Sequence, residues 1–291
     1  MQKAEETNKL KGIKRAKGYQ PISHVQFADD LFIFGRADEV NIRSIKECLS
    51  TYSSWSGQKI NTHKFTMVFS KNLTSWHSKH LLAWSMGLKI EGSKGKYLGL
   101  PMLIGKSKKG TFQEVVERVE KKYQSWKVKI LSQAARTFLI HTVTSTMPLY
   151  VMSSLKLLKE TAKKLVALNM KFWWGSKEND SNCCILKNWD SICKPKFMGG
   201  LGLRKSEDFN QALLTKLAWE VQKNEDKLWV KIFRRKYLKV GSFTNIRPPK
   251  QVSWICKILF SCNKLIKKDM CYKVGDGRSI NIWDALGFLK N

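Results

Sequence analysis

The stretch Ile22-Ser23-His24-Val25-Gln26-Phe27-Ala28-Asp29-Asp30-Leu31-Phe32-Ile33-Phe34 decides the fold of the first part of this chain. Two runs rich in β-branched and aromatic residues flank Asp29 and Asp30, which predicts two short strands with the carboxylates at the tip of a hairpin. Carboxylates beside a buried sheet are costly unless something compensates their charge. A Mg²⁺ ion bound together with substrate phosphates would do so. A plain turn is the simpler interpretation, because Asp hydrogen-bonds its own backbone in turns.

The composition is that of a folded and strongly basic chain. Its 291 residues include 53 Lys and Arg against 23 Asp and Glu, a net charge of +30, and 43% of them are hydrophobic. A field of this sign attracts polyanions, and nucleic acid is the natural partner because neutralised phosphates release their counterions. An anionic membrane surface is the competing partner. We find no apolar run near the ~20 residues that span a bilayer and no secretory signal peptide, which predicts a nuclear or cytoplasmic protein without a membrane partner.

Cysteine and histidine usage gives no sign of a disulfide framework or a zinc site. The seven cysteines are odd in number and form no C-x-x-C pair, and both features argue against such frameworks and against a zinc ribbon. His77 and His80 form an isolated H-x-x-H, which we interpret as two exposed histidines because metal sites need more ligands.

The hydrophobic periodicity predicts an α+β fold whose strands come first. A helix over 38–55, with apolar positions down to Tyr52, follows the hairpin. A strand is expected over 64–70, and a strand or hairpin interrupted at Pro101 is expected over 97–104. A basic linker, 105–110, leads to the helical part. Its helices are predicted over 112–130, 132–146, 161–174, 228–237 and 252–265. A further helix is predicted with Ser206 as its N-cap and with the core face Phe209, Leu213, Leu217 and Val221. Gly199 to Gly202 lack the Lys-Ser/Thr of a P-loop, which indicates a structural turn.

A series of short motifs follows the hairpin in a fixed order. The motifs are Phe27-Ala28-Asp29-Asp30, Ser56-Gly57-Gln58-Lys59-Ile60-Asn61, Tyr97-Leu98-Gly99-Leu100-Pro101-Met102, Trp126-Lys127 with Leu131-Ser132-Gln133-Ala134-Ala135-Arg136, Met147-Pro148-Leu149-Tyr150, Phe172-Trp173-Trp174-Gly175, Cys193-Lys194-Pro195-Lys196, Gly199-Gly200-Leu201-Gly202-Leu203, and Val274-Gly275-Asp276-Gly277 with Ile280-Asn281-Ile282-Trp283. In this order they resemble the reverse transcriptase of plant non-LTR (LINE-type) retrotransposons, over nearly the whole chain. The sequence departs from the family at Ala135, where Gly is usual, and at Phe65, where Ser is common.

The resemblance implies the domain organisation. Residues 1–21 would be a basic leader, 22–105 the C-terminal part of the polymerase palm, 106–175 a mainly α-helical thumb, and 176–291 a helical post-thumb connection that ends before the family's zinc-binding module. The fingers and a further metal-ligand Asp lie upstream of the Asp-Asp motif in this family. Only Glu5 and Glu6 precede that motif here as acids, so we expect a catalytically incomplete fragment of an RNA-directed DNA polymerase.

The resemblance also implies the site residues. Asp29 would bind metal, and Asp30 would bind metal or orient the primer end, in a two-Mg²⁺ nucleotidyltransferase site where the primer 3′-hydroxyl attacks a dNTP. Either Lys59 or Lys64 would be the palm lysine near the triphosphate. The primer grip would be Tyr97, Leu98, Gly99, Leu100 and Pro101. The cations expected to contact an RNA template–DNA primer duplex are Lys106, Lys108, Lys109, Lys121, Lys122, Lys127, Lys129 and Arg136, although a solvated face explains each of them equally well when taken singly.

Three functional hypotheses remain open at this point. The chain is a polymerase fragment that needs a separate fingers and front-palm half, a non-catalytic basic protein that binds template–primer duplex, or a retroelement relic whose exposed sheet edges favour aggregation. Salt-sensitive duplex binding without Mg²⁺ dependence would distinguish the second hypothesis from the first.

Overall fold

The computed structural model contains two compact units. The N-terminal unit comprises Met1–Gly105 and Lys231–Lys239, and the helical unit comprises Lys106–Val230 and Val240–Asn291. The structure describes residues 1–14, 18, 21–28, 30–59, 61, 65–70, 73, 75–90, 96–97, 100–101, 109–126, 130–175, 186–238, 241–246, 248–249 and 252–271.

The described elements are mostly helices with a few short strands. The strands are β1 (His24–Phe27), β2 (Asp30–Ile33), β3 (Thr66–Met67), β4 (Lys89–Ile90), β5 (Lys96–Tyr97) and β6 (Leu100–Pro101). The helices are α1 (Gln2–Glu6), α2 (Glu39–Ser56), α3 (Trp76–Met86), α4 (Lys109–Ser125), α5 (Gln133–Leu139), α6 (Leu149–Ser154), α7 (Lys159–Trp174), α8 (Trp189–Ile192), α9 (Ser206–Lys223), α10 (Leu228–Tyr237), α11 (Trp254–Ser261) and α12 (Asn263–Asp269). The predicted α+β fold class is confirmed.

The predicted hairpin and the helix after it are both present in the N-terminal unit. β1 and β2 pair antiparallel, with His24 opposite Ile33 and Phe27 opposite Asp30. Helix α2 begins after Asp38, whose side chain accepts a hydrogen bond from the backbone N–H of Asn41 at 2.8 Å. It ends at Gly57 in the left-handed conformation that a helix C-terminus favours. The prediction that Tyr52 belongs to the apolar face of this helix is wrong, because 53% of its surface is exposed.

The leader packs onto helix α2. Leu10 is 1% exposed, and the backbone N–H of Lys11 donates to Oδ1 of Asn41 at 2.7 Å. Ser44 donates its hydroxyl to the Lys9 carbonyl at 2.9 Å. Asn41 and Ser44 are therefore buried polar residues of α2 that the hydrophobic pattern does not predict. Each of them satisfies one backbone group of the leader.

The remaining strands form two further pairs. β3 and β4 are parallel, with Thr66 opposite Lys89. β5 and β6 are antiparallel, with Tyr97 opposite Leu100. Pro101 is the last residue of β6, opposite Lys96, as proline can be in a strand with one free edge. Residues 102–108 lie outside the described part of the chain, so the predicted interruption at Pro101 stays a prediction. The described strands therefore form three separate two-stranded sheets, and the assignment of this region to a polymerase palm stays a prediction.

The helical unit is organised around two long helices. Helix α7 packs against α4, α5 and α9, and α9 also packs against α6, α11 and α12. Between α4 and α7, the rings of Tyr123 and Phe172 stack at 4.4 Å, and Trp126 lies 5.3 Å from Phe172. The aromatic stripe of the sequence is thus core, as the periodicity indicates. The thumb and connection assignments stay predictions.

Several predicted helix ends are wrong. The first helix ends at Ser125, and Ile130, expected on its apolar face, is 77% exposed. The helix expected over 132–146 is α5 continued by a π-helical turn, Ile140–Thr144. The helix expected over 252–265 divides at Cys262 into α11 and α12. Periodicity identifies a helix more reliably than it fixes its ends, because fraying and local turns decide the last residues.

The prediction for helix α9 is wrong in two details. Ser206 is its first helical residue, and the cap position belongs to Lys205, which makes no side-chain capping bond. The buried stripe runs through Asn210, Leu214, Ala218 and Val221, so three of the four predicted core positions lie one residue away from it. A buried asparagine gives no hydrophobic signal, which is why the pattern selected the neighbouring face.

Within the part of the chain that the structure describes, none of the helices combines the length and the apolar character that a membrane span requires.

Candidate metal site and nucleic-acid interface

The tip of the β1–β2 hairpin carries the described part of the candidate metal site. Phe27 and Asp30 face each other at the end of the ladder, so a two-residue connection joins the strands. Ala28 has φ of +51°, as the first central residue of the favoured hairpin turns does. The Asp30 side chain is exposed at this tip, whereas Asp29 lies outside the described residues.

Glu5 lies at the opposite end of this hairpin. The Ser23 hydroxyl donates to Oε2 of Glu5 at 2.7 Å and lies 2.9 Å from Nδ1 of His24. Because an extended strand rises about 3.3 Å per residue, Ser23 is roughly 13 Å from the Phe27 end of β1. Glu5 therefore anchors the base of the hairpin and is too far away to share a cation with Asp30.

The described residues fit a Mg²⁺ ion only in part. They contain no group of three or more His, Cys, Asp or Glu side chains that could hold a metal. Mg²⁺ is often held by one or two carboxylates together with substrate phosphates, and an exposed Asp30 at a hairpin tip is compatible with that arrangement. The hairpin suits a cation that arrives with a phosphate substrate better than a cation held in a protein cage.

The candidate palm lysine and primer grip are described in part. Lys59 is exposed in the segment that follows α2, next to Gln58, whose side chain accepts a hydrogen bond from the Tyr52 hydroxyl at 2.8 Å. Lys64, Leu98 and Gly99 lie outside the described residues. The backbone of Tyr97, Leu100 and Pro101 forms the β5–β6 pair, so the predicted primer grip has the form of a tight hairpin.

Among the α4 side chains that the structure describes, the basic ones lie in the C-terminal half of the helix. Glu114 and Glu117 lie exposed on its first turns, and Arg118, Lys121 and Lys122 are exposed beyond them. The Lys122 ammonium lies 5.7 Å from the centre of the Trp126 ring, a cation–π distance that holds the charge at this end. Phosphate contact by these described side chains is therefore expected at the last turns of α4. The side chains of Lys106, Lys108, Lys109, Lys127 and Lys129 lie outside the described part of the chain.

Arg136 has a structural role in the helical unit. Its Nε donates to the Leu131 carbonyl and its Nη1 to the Trp173 carbonyl, both at 3.1 Å. The second bond satisfies one of the last carbonyls of α7, which have no partner inside their own helix. Both bonds use donors of the guanidinium group. Contact of Arg136 with nucleic acid stays a prediction.

A buried polar cluster holds α4 to its neighbours. The Tyr123 hydroxyl lies 2.7 Å from the Thr144 hydroxyl and donates to Oδ1 of Asn169 at 2.5 Å. Burial raises the pKa of Tyr123 well above its usual value, against a smaller lowering by the Thr144 hydrogen bond. A neutral, fully bonded phenol in a core is a structural element rather than an acid or base.

A compact surface loop, of which the sequence predicts only the glycine turn, follows α8. We call residues 193–203 the glycine loop. Leu203 at its end is buried, as is Ile192 just before it, and a short 3₁₀ turn, Lys196–Met198, lies between them. Phe197 on this turn is 86% exposed. The loop contains the Gly199–Gly202 turn that the sequence predicts.

Cys193 is at the start of the glycine loop and is a free thiol. Burial raises its pKa to about 11, and nearby Lys205 only partly offsets this effect. Lys205 itself forms an ion pair with Asp190 at 2.7 Å. The Cys193 side chain is therefore a neutral thiol near pH 7 and not a nucleophile.

Comparison with known proteins identifies two plant relatives. No protein-family model matches the chain. A protein of Arabidopsis thaliana, provisionally named as a ribonuclease H protein, is 32% identical over 189 residues. The match covers 63% of this chain and 30% of that relative, so the chain spans less than a third of the relative's length.

The second relative is an uncharacterized mitochondrial protein, also from Arabidopsis thaliana. It is 30% identical over 138 residues, which are 47% of this chain and 89% of the relative. Since nearly the whole of that protein is matched, the chain belongs to the same family as this mitochondrial protein of Arabidopsis.

Proposed function

We propose that this chain is part of the RNA-directed DNA polymerase of a plant LINE-type retrotransposon, comprising the C-terminal palm, the thumb and the post-thumb connection. We propose further that it binds template–primer duplex and does not extend a primer by itself. The β1–β2 hairpin carries the proposal, since Asp30 of the Asp-Asp motif lies exposed at the strand end that follows a two-residue turn, where a phosphate-bound cation has access.

The relatives and the charge support the same proposal. In the reverse transcriptase family that the motifs resemble, any ribonuclease H domain lies beyond this region, and one relative carries the name of a ribonuclease H protein. The net charge of +30 favours a polyanion as partner, because released counterions drive the association. Phosphate contacts of this kind position a duplex without reading its sequence.

Catalysis would need a second polypeptide segment. Glu5 lies at the base of the hairpin, where it bonds Ser23, so it does not supply a third carboxylate at the tip. We propose that a front-palm segment with its own Asp completes the site. In the complete site, two Mg²⁺ ions would stabilise the attacking and leaving oxygens of the nucleotidyl transfer. Asp29 and Asp30 would hold or orient these groups.

Primer extension tests the catalytic half of the proposal. The assay uses a poly(rA)/oligo(dT) duplex with Mg²⁺, the chain alone, and the chain mixed with the family's fingers and front-palm segment. We expect extension only in the mixture, and we expect Asp29→Asn to abolish it. Asp269→Asn, which changes an exposed aspartate of α12, is the matched control and should leave it unchanged. Extension by the chain alone would contradict the proposed incompleteness.

Duplex binding tests the other half. The double variant Lys121→Gln/Lys122→Gln should lower the slope of log Kd against log salt by about 2, roughly one unit for each phosphate that is no longer neutralised. Lys264→Gln/Lys267→Gln removes two exposed lysines of α12 as a control of equal charge. Equal slopes for the two variants would mean that α4 makes no particular contact.

The two experiments together distinguish the three hypotheses. Binding without extension in any mixture would leave a non-catalytic nucleic-acid-binding protein, and loss of both binding and extension would favour a relic.

A further inference from the structure

The glycine loop exposes large apolar side chains at one point of the surface. Phe197 is 86% exposed, Met198 62% and Leu201 40%. A single exposed apolar residue is ordinary, but several on one short loop indicate a binding surface. The sequence analysis assigns no function to these side chains.

Backbone hydrogen bonds hold this loop in one conformation. The N–H of Leu201 donates to the Ile192 carbonyl at 2.8 Å, and that of Gly202 to the Lys194 carbonyl at 2.9 Å. Gly200 packs so closely on Lys194 that a β-carbon at this position would overlap the Lys194 backbone. Phe197 is thus presented on a fixed base, and ordering the loop costs little when a ligand binds.

The charge around Phe197 is positive. Lys194 and Lys196 are exposed on either side of Pro195, and the stretch 193–203 contains no acidic residue. Lys205, further along, is neutralised by Asp190 at 2.7 Å, and the Arg204 guanidinium stacks 4.7 Å above the Phe209 ring. Lys194 and Lys196 therefore supply the positive charge next to the exposed ring.

We propose that the glycine loop binds unpaired nucleotides of single-stranded RNA or DNA, with Phe197 stacked on a base and Lys194 and Lys196 on the adjacent phosphates. An aromatic ring beside cations is the combination that binds single strands without reading sequence. Bases within a duplex already stack on both faces, so the loop prefers a single-stranded overhang. The inference extends the proposed function, since it gives a template strand a second contact in the helical unit.

A second copy of this chain is the competing occupant of the surface. An isologous contact through Phe197 would bring the two Lys194–Lys196 pairs of the partners together, because such an interface joins a patch to itself. Like charges placed against each other oppose association. A polyanion meets no such repulsion, so the observations favour nucleic acid.

Binding to oligonucleotides that differ only in an overhang tests this inference. Fluorescence anisotropy is measured with the full chain on a blunt duplex and on the same duplex with a ten-nucleotide single-stranded extension. We expect Phe197→Ala to weaken binding of the extended duplex about 5- to 100-fold, the range found when one stacked base is lost. Binding of the blunt duplex should be unchanged. Phe197→Tyr, which keeps the ring, should restore the wild-type affinity.

A local probe separates stacking from a general loss of affinity. Stacking on an aromatic ring quenches 2-aminopurine, so this base in the overhang should lose fluorescence on binding to the wild-type chain and not to Phe197→Ala. Phe138→Ala, which removes another exposed phenylalanine of the helical unit, is the matched control and should behave like wild type. Circular dichroism of both variants verifies their folding.

The outcomes distinguish this inference from the proposed function. Equal binding of both duplexes by wild type and Phe197→Ala would overturn the loop proposal and leave duplex binding by the chain intact. If the chain binds neither the blunt nor the extended duplex, the loop proposal and the proposed function are both wrong. If Phe197→Ala changes only the sedimentation coefficient, from dimer to monomer, the loop is a self-association surface and the nucleic-acid proposal is wrong.

Discussion

Replacing the buried side chain of Asn210 should strongly destabilise the helical unit. It is 3% exposed, and its Nδ2 donates to the carbonyls of Met152 and Leu155 at 2.7 and 2.8 Å. Its Oδ1 accepts from the N–H of Leu157 at 2.9 Å. Helix α6 ends at Ser154, so these carbonyls and this N–H belong to a helix end and the segment after it, where intrahelical partners are missing.

Asn210→Ala removes all three bonds together and adds no new partner. A typical hydrogen bond contributes about 1 kcal/mol, and a buried group left without a partner costs about 1–3 kcal/mol. Some of the freed groups will reach water through the small cavity that alanine leaves. We therefore expect the free energy of unfolding to fall by about 3–5 kcal/mol, a large part of the 5–15 kcal/mol typical of a domain.

Urea denaturation followed by circular dichroism measures this loss, with the midpoint and the slope fitted separately. Hydrogen exchange gives the local readout, since the amide of Leu157, in the segment after α6, should lose its protection in the variant before the amides of α9 do. Asn245→Ala removes an exposed asparagine of the same unit and should shift stability by less than about 0.5 kcal/mol.

A loss below about 1 kcal/mol for Asn210→Ala, with an unchanged slope and a protected Leu157 amide, would refute the reasoning. Such a result would mean that the bonds to Met152, Leu155 and Leu157 contribute no more than their replacement by water, contrary to the cost assigned to buried unpaired groups.

Two further predictions follow from the same unit. Arg136→Met should lower the free energy of unfolding by about 2–3 kcal/mol, because it removes two charge-assisted bonds to the carbonyls of Leu131 and Trp173. Urea denaturation compares this variant with Arg118→Met, which replaces an exposed arginine and should change the stability little. A loss of duplex affinity without a loss of stability would instead favour a phosphate contact for Arg136. Burial raises the pKa of Cys193 to about 11, so the rate of its alkylation by iodoacetamide should rise about tenfold per pH unit up to that pH, since only the thiolate reacts. Mass spectrometry of the modified peptide measures this rate. A rate that stops rising near pH 8.5, as for a free thiol, would contradict the burial of this side chain.

Of the candidate metal site, the sequence predicts the hairpin with Asp30 at its end, but not the location of the Glu5 carboxylate. Two runs rich in β-branched and aromatic residues on either side of an acidic pair predict the β1–β2 ladder, and Asp30 lies at its exposed end as expected. The location of Glu5 could not be predicted in this way, because its bond to Ser23 joins residues far apart in the sequence. No local pattern reports such a bond. The roles of Asp29, Lys59 and Lys64 stay predictions that only the assays above address.

For the glycine loop, the sequence predicts the turn but not which of its side chains are exposed. Consecutive glycines in the sequence predict a turn, and the structure has one. The exposure of Phe197 was not predictable, because an aromatic residue next to a turn is more often buried. The bonds from Leu201 to Ile192, just before the loop, and from Gly202 to Lys194, at its start, fold the loop back on itself, and the Phe197 ring between them stays exposed.

The sequence by itself determined the α+β class, the hairpin, the long helices and the basic charge, since each depends on local periodicity or on composition. Only the tertiary structure decided which face of α9 is buried, where α4 ends, and that Arg136 and Asn210 bond backbone carbonyls. These features depend on polar side chains that satisfy distant backbone groups. A hydrophobic pattern records which residues avoid water, and it does not record which buried polar group meets which partner.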